Sequence, residues 1–353
     1  MENYLGSMID SSFWNGKKVL ITGFSGFKGF WLNLILNKLG SEVYGVSKQN
    51  LHSQIFLEYS KNHQYKNNYF TDVTDFKKLK NIIDEVKPDI FFHFAAQPLV
   101  KTSKTNPETT VGTNIIGTFN VLEIVKNSEW DIVSVIATTD KVYEFPSKNN
   151  KESDPLGSVE LYSATKVSCE NIINAYNLNE DSKNKFSIVR SGNVLGGGDG
   201  GEHRLLTDIL HAIDNKVDIK IRNPNSIRPW QFILDSLGGY ILTAQQHHNI
   251  SHNIFNFSNQ DLSELSVLEL TNTILNKFSS DIKVVVSDED TFLESEELRI
   301  DSSKAKNILN WNALYDLEDI IEKLYEWEIS KQNFNVTETS HKHVVEFLNK
   351  TTN

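Results

Sequence analysis

The stretch Val19-Leu20-Ile21-Thr22-Gly23-Phe24-Ser25-Gly26-Phe27-Lys28-Gly29-Phe30-Trp31 decides the fold. An apolar run breaks at Thr22, glycines follow at 23, 26 and 29, and a second apolar stretch runs from Trp31 to Leu39. This pattern predicts a strand over Lys18–Thr22, a tight turn, and an amphipathic helix over about Lys28–Leu39 that ends at Gly40. Such a turn offers backbone N–H groups at a helix N-terminus, where a pyrophosphate can sit. Gly23 allows the turn, Gly26 lets backbone approach phosphate, and Gly29 lets helix pack on strand. The spacing is GxxGxxG, not the GxGxxG of the usual dinucleotide fingerprint, so the flanking sequence has to support the reading.

Downstream, strands and helices alternate. A second strand, Glu42–Val46, ends in Ser47-Lys48-Gln49 rather than in the acidic residue that usually meets a ribose 2′-hydroxyl. That strand end admits NAD or NADP. Tyr69–Asp75 reads as a short strand with an Asp at its end, where Asp72 and Val73 would meet the cofactor; a carboxylate there can accept from an adenine amino group or, equally well, N-cap a helix near residues 75–86. Pro88–Ala96 is a buried strand ending in Ala95-Ala96, small residues against which a cofactor can lie; His93 within it reads as a packed core residue. A helix opens at Gly112-Thr113-Asn114, and the strand Ile132–Ala137 ends in Thr138-Thr139-Asp140-Lys141. The alternation predicts an α/β fold with a doubly wound parallel sheet and right-handed crossovers. Ligands of such sheets bind at the carboxyl ends of strands, so Gly23–Gly29, Ala95-Ala96 and Thr139–Lys141 line one crevice.

A polar loop, Pro146–Asp154, leads to Tyr162-Ser163-Ala164-Thr165-Lys166 at the start of a helix to about Tyr176. Tyr162 and Lys166 share a helix face, and an ammonium there would lower the tyrosine pKa toward neutrality. That is a proton shuttle suited to oxidising an alcohol beside a nicotinamide. After a strand at Phe186–Arg190 comes the glycine-rich run Ser191–Asp199, then Arg222-Asn223-Pro224 and Ile227-Arg228-Pro229-Trp230-Gln231, a local basic cluster fit for a phosphate. The organisation read from this is a dinucleotide-binding domain over 13–190 with later segments (about 232–258) returning to it, a smaller C-terminal α/β substrate domain over 191–330, and a polar tail over 331–353 with a helix near 341–349. The formal charge of −11 argues against nucleic acid or an anionic membrane as partner. The single cysteine, Cys169, no apolar run of the roughly 18–20 residues a membrane span needs, and an N-terminus unlike a signal peptide together suggest the cytoplasm. No metal site is expected.

The motif set resembles the extended short-chain dehydrogenase/reductase family that acts on nucleotide sugars. Thr22-Gly23 to Gly29 is similar to that family's cofactor loop, and Thr139, Tyr162 and Lys166 to its catalytic triad. Within it, Phe13–Lys17, Gly26-Phe27-Lys28-Gly29, Ala95–Val100, Thr139-Asp140-Lys141, Gly192–Asp199 and the Arg222–Gln231 segment resemble the CDP-glucose 4,6-dehydratases. The resemblance implies a Rossmann-type fold, bound NAD, CDP-glucose as partner, oxidation at C4, loss of water across C5–C6 and hydride return to C6, a step toward the deoxysugars of surface polysaccharide. A nucleotide-sugar 4-epimerase and an NADPH-dependent reductase are the alternatives. It implies catalytic roles for Thr139, Asp140, Lys141, Tyr162 and Lys166, with Asp140 a protonated acid and Lys141 the base at C5 or the residue that positions that step. Gly23, Phe24, Ser25, Gly26, Phe27, Lys28, Gly29, Ser47, Asp72, Val73, Ala95, Ala96, Gln97 and Asn114, with Tyr162 and Lys166, would hold the cofactor. Gln97, Asn193, Arg204, Arg222, Arg228, Trp230 and Arg299 would contact substrate. It also implies a homodimer or homotetramer, paired through helices near 114–126 and 162–176.

Overall fold

A computed structural model describes residues 9–49, 52–60, 67–145, 149–158, 160–178, 184–201, 204–250, 253–286 and 295–352. Part of the expected loop at 146–154 and the first eight residues lie outside these. Seven strands form one parallel sheet: β1 Lys18–Thr22, β2 Glu42–Ser47, β3 Asn68–Phe70, β4 Ile90–His93, β5 Val133–Ala137, β6 Phe186–Ser191 and β7 Ile254–Phe257. Their order is β7-β6-β5-β4-β1-β2-β3, all neighbours parallel. The chain order reverses between β1 and β4, which places a crevice at their carboxyl ends, as the alternation predicts.

The central strands are apolar without interruption because both faces are covered. Leu20, Phe91, Ile136 and Ile188 face the helices Phe76–Val86, Gly117–Lys126 and Leu161–Asn177. Val19, Ile21, Phe92, Val135 and Val189 join a second core, which continues through the helices Phe27–Lys38, Ile233–Gln245 and Leu317–Gln332. That second core crosses from the N-terminal half to the last helix without a break. Around it stand two short parallel pairs: Asn193–Leu195 with Trp230–Phe232, and Ile219–Ile221 with Val284–Val286.

Two features differ from the sequence expectation. The helix Phe27–Lys38 is not amphipathic: Phe30, Trp31, Leu32, Ile35 and Leu36 are all fully buried. A helix apolar on every side must be covered on every side. The cover comes from residues read as a polar tail, which form one helix, Val336–Thr352. It buries Val344, Phe347 and Leu348, and His343 stacks on Trp31 with ring centroids 6.4 Å apart.

Candidate active site

The glycine turn is fixed by contacts that exclude a side chain. Gly23 has φ +71°, and a Cβ on it would lie 2.8 Å from the backbone of Phe94 and Ala95. A Cβ on Gly29 would lie 2.3 Å from the Gly23 carbonyl oxygen. Gly26 is the N-cap of the Phe27–Lys38 helix and supplies no capping side chain, so the helix N-terminus is left to a ligand or to water. Ser25 donates its N–H to Ser47 Oγ at 2.9 Å. Ser47, expected at the cofactor's ribose, thus braces the loop. Lys48 forms an ion pair with Asp72 at 2.7 Å. Burial works to raise the Asp72 pKa, but the hydrogen bonds from Lys48 and Thr74 outweigh it and hold the carboxyl below its usual range. Phe24, Ser25, Ser47, Tyr69 and Phe70 line a small hollow at this edge of the sheet. Val73 packs in the core under the neighbouring helix, and Phe27 is buried against the Gly196 segment.

Lys28 leaves the loop in the other direction. Its Nζ donates to Tyr240 Oη at 3.1 Å and sits 5.4 Å from that ring's centroid. The charge is felt at both Asp140 and Lys166.

The end of β5 and the helix Leu161–Asn177 carry the reactive groups. Glu160 caps this helix, accepting from the N–H groups of Tyr162 and Ser163 at 2.7 and 3.1 Å, and so fixes where Tyr162 begins it. Lys166 Nζ donates to the Ala137 carbonyl at 3.1 Å. Thr139 lies within hydrogen-bonding reach of Tyr162 and donates to Asp140 Oδ1 at 2.9 Å. Asp140 is 3% exposed, and its Oδ2 has no hydrogen-bond partner among the described residues. Burial pushes the Asp140 pKa up, against the opposing pull of Lys141, Thr139, Arg228 and Lys28. The raised pKa is the condition a carboxyl must meet to act as an acid near neutrality.

Tyr162 differs from the sequence reading. Its pKa is raised, not lowered, because burial outweighs the Thr139 hydrogen bond and the nearby Arg204. The Lys166 ammonium, itself destabilised by burial, is spent on the Ala137 carbonyl. In the protein alone Tyr162 therefore keeps its proton at neutral pH. His93 is a core residue: it is hydrogen-bonded to Thr22 and Thr118 at 2.7 and 3.1 Å, and burial pulls its pKa down to about 3.

Of the residues read as substrate contacts, Arg204 and Arg228 reach this cluster. Arg204 Nη1 bonds both oxygens of Asp199, at 2.9 and 2.7 Å. Arg228 donates to the carbonyls of Ile227 and Glu296 at 2.9 and 3.2 Å and is 6% exposed. In a chain of net charge −11, Lys28, Lys141, Arg204 and Arg228 converge on Asp140 and Tyr162. That concentration of cations suits an anionic ligand. Asn193 stands beside them, paired in register with Trp230.

The others are committed elsewhere. Trp230 is buried and donates its indole N–H to the Leu265 carbonyl at 2.9 Å. Arg299 pairs with Glu264 at 2.8 Å and with Glu297, and Arg222 is exposed. Gln97 Nε2 donates to the Leu99 carbonyl and Thr110 Oγ1 at 3.0 and 2.8 Å. Asn114, fully buried, accepts the Gln97 N–H at 2.8 Å and donates to Thr165 Oγ1 at 2.9 Å. These two hold the chain after Ala95-Ala96 in place. Ala95 donates its N–H to Thr22 Oγ1 at 3.4 Å, and both alanines stay half-buried at the strand end.

Sequence reasoning passed over Glu160, Glu170, Arg190, Asp199 and Tyr240. Glu170 had a signal: it lies four residues beyond Lys166 and so on the same helix face.

A parallel sheet with a glycine turn, a Thr–Tyr–Lys cluster and a ring of cations defines an enzyme of the nucleotide-sugar dehydratase and epimerase class. The pattern of the family described as GDP-mannose 4,6 dehydratase matches residues 20–324, and the chain belongs to that family. It is 34% identical over 332 residues to the CDP-glucose 4,6-dehydratase of Salmonella typhimurium, covering 91% of this chain and 92% of that one. Among solved structures it is similar to an epimerase from Methanothermobacter thermautotrophicus, with TM-score 0.81, 22% identity, and 93% and 98% of the two chains covered. It is also similar to the dTDP-glucose 4,6-dehydratase of Bacillus anthracis in complex with NAD, with TM-score 0.74, 20% identity, and 90% and 98% covered. Among the described residues, no helix is long and apolar enough to cross a membrane.

Proposed function

We propose that the protein dehydrates CDP-D-glucose to CDP-4-keto-6-deoxy-D-glucose with NAD as its resident cofactor. The observation that carries this reading is Asp140, a buried carboxyl with an unpartnered oxygen and a raised pKa beside Thr139 and Tyr162. Elimination of water needs an acid at that place, and 4-epimerisation does not. The 34% identity to a CDP-glucose 4,6-dehydratase, spread over 91% of the chain, supports the choice of sugar nucleotide. The cradle suits NAD: Gly23 and Gly29 have no room for a side chain, so the turn stays tight, and the helix behind it carries no side-chain cap. Ser25 to Gly29 would hold the pyrophosphate and Asp72 would face the adenine.

When bound, NAD supplies the acceptor, and later the donor, of the hydride. The tyrosinate of Tyr162, which the protein alone holds protonated, would be favoured by the Lys166 ammonium and the positive nicotinamide ring. That tyrosinate would take the proton of the sugar's C4 hydroxyl while Thr139 hydrogen-bonds that oxygen. Once C4 is a ketone, the C5 proton is acidic, and Lys141 takes it or positions its removal. Asp140, kept protonated by burial, gives its proton to the departing C6 hydroxyl. Arg204 and Arg228 neutralise the diphosphate of the substrate. The exposed apolar side chains Val111, Ile116 and Phe119 support pairing of two copies through the helical stretch 107–126.

The test is a panel of CDP-, dTDP-, UDP- and GDP-hexoses, with products weighed by mass spectrometry and the cofactor identified after denaturation. Loss of one water from CDP-glucose, with NAD released, is expected. A product of unchanged mass would favour 4-epimerisation, and steady consumption of added NADPH would favour a reductase.

A further inference from the structure

The turn that carries Thr139, Asp140 and Lys141 is held at both ends by one buried ion pair. Before the turn, Thr138 Oγ1 donates to Glu170 Oε1 at 2.6 Å. After it, Tyr143 Oη accepts from Arg190 Nη1 at 2.7 Å and donates to Asn256 Oδ1 at 2.8 Å. Glu170 and Arg190 are joined as a fork: Arg190 Nε bonds Glu170 Oε1 at 2.9 Å, and Nη2 bonds Oε2. Their side chains are 0% and 1% exposed. Glu170 lies on the helix of Tyr162 and Lys166, two turns beyond the first and one beyond the second on the same face. Three consecutive residues at the end of β5 are therefore gripped by three positions of one helix: Ala137 by Lys166, Thr138 by Glu170, Thr139 by Tyr162.

A buried ion pair is poor evidence for stability, because well-packed apolar residues often do as well in its place. What this pair adds is geometry. It fixes the height of the helix against the strand end and closes the turn from both sides.

We propose that Glu170 and Arg190 are positioning residues, which set Asp140 and Thr139 at working distance from Tyr162. This deepens the oxidation and elimination steps proposed above and rests on them. It predicts that cutting a clamp slows chemistry without loosening the substrate.

Thr138→Val removes the hydroxyl and keeps the shape and the ion pair; Thr138→Ser restores the hydroxyl. Tyr143→Phe cuts the other end. The measurements are kcat and KM on whichever nucleotide sugar the unaltered protein oxidises, with the melting temperature of each variant. Because the dehydratase reading and the 4-epimerase reading both begin with C4 oxidation at Tyr162, the comparison stands even if the sugar is not CDP-glucose. The expected result is a fall in kcat of about tenfold or more for Thr138→Val and for Tyr143→Phe, the size that misplacement of reacting groups brings. KM should stay within about twofold, and Thr138→Ser should recover most of the rate. A lower melting temperature with kcat unchanged overturns the proposal, as does a Thr138→Ser rate no better than that of Thr138→Val. An unaltered protein inert on the whole panel overturns both this proposal and the functional reading.

Discussion

Asp140→Asn isolates the step on which the reading depends. The geometry lets the substitution be clean. Asn keeps an oxygen to accept from Thr139, which now donates to Asp140 Oδ1 at 2.9 Å, and its volume fits a site that is 3% exposed. It removes no buried charge that the fold depends on, since burial already pushes this carboxyl toward its neutral form. What it removes is a transferable proton. General acid catalysis contributes about 10²–10⁴ in rate, or roughly 3–5 kcal/mol of barrier. Dehydration should fall by that factor, with KM nearly unchanged because a neutral carboxyl is exchanged for a neutral amide. The pH profile should change as well. Only protonated Asp140 is active, so the unaltered enzyme loses rate as pH rises past the raised pKa; the residual rate of the variant should lack that limb. The assay is the 4-keto product measured in alkali across pH. A variant that dehydrates at the normal rate, or that keeps the basic limb, refutes the role given to Asp140.

Other outcomes follow from the same geometry. Glu170→Gln leaves Arg190 buried and uncompensated, so it should cost about 3–5 kcal/mol in denaturant unfolding, while Thr138→Val should cost far less. Lys141→Met should abolish exchange of the C5 proton with solvent deuterium while C4 oxidation persists; undiminished exchange would remove Lys141 from that role. Asp235 is buried, accepts the Leu314 N–H at 2.9 Å, and has its pKa pushed up to about 7 by burial. The native state therefore holds a proton that the unfolded chain releases near pH 4. Stability must fall as pH rises between these values, by a few kcal/mol in all. Asp235→Asn should be neutral or costly at about pH 5 and stabilising at about pH 8 relative to the parent, read as the difference in melting temperature; a difference independent of pH would contradict this.

Much of this was legible in the chain because it depends on local pattern. The glycine turn is written in Gly23 and Gly29, whose roles are steric and leave no room for another residue. The strand ends are written in the switch from apolar runs to Thr138-Thr139 and Ala95-Ala96. Asp140 could be named as an acid that had to be buried, and burial is what the fold supplies. The parts that stayed hidden depend on tertiary surroundings. Trp230, Gln97 and Arg299 sit in ligand-like sequence contexts, yet each finds a partner within the protein, and no spacing reveals that. The lowered pKa expected for Tyr162 followed from its distance along the helix to Lys166, but desolvation is set by everything packed around the ring. The helix Phe27–Lys38 carries its own signal: Phe30, Trp31, Leu32, Leu34, Ile35 and Leu36 set apolar side chains almost all the way round it. That continuous apolarity required a second cover, which the last helix provides.

The most direct test follows one hydrogen atom. CDP-glucose carrying deuterium at C4 is incubated with the purified protein, and the product is read by NMR and mass spectrometry. The expected product is one water lighter, with the label at C6 of the same sugar. Label still at C4 in a product of unchanged mass, or label lost to added cofactor, would contradict the proposed function.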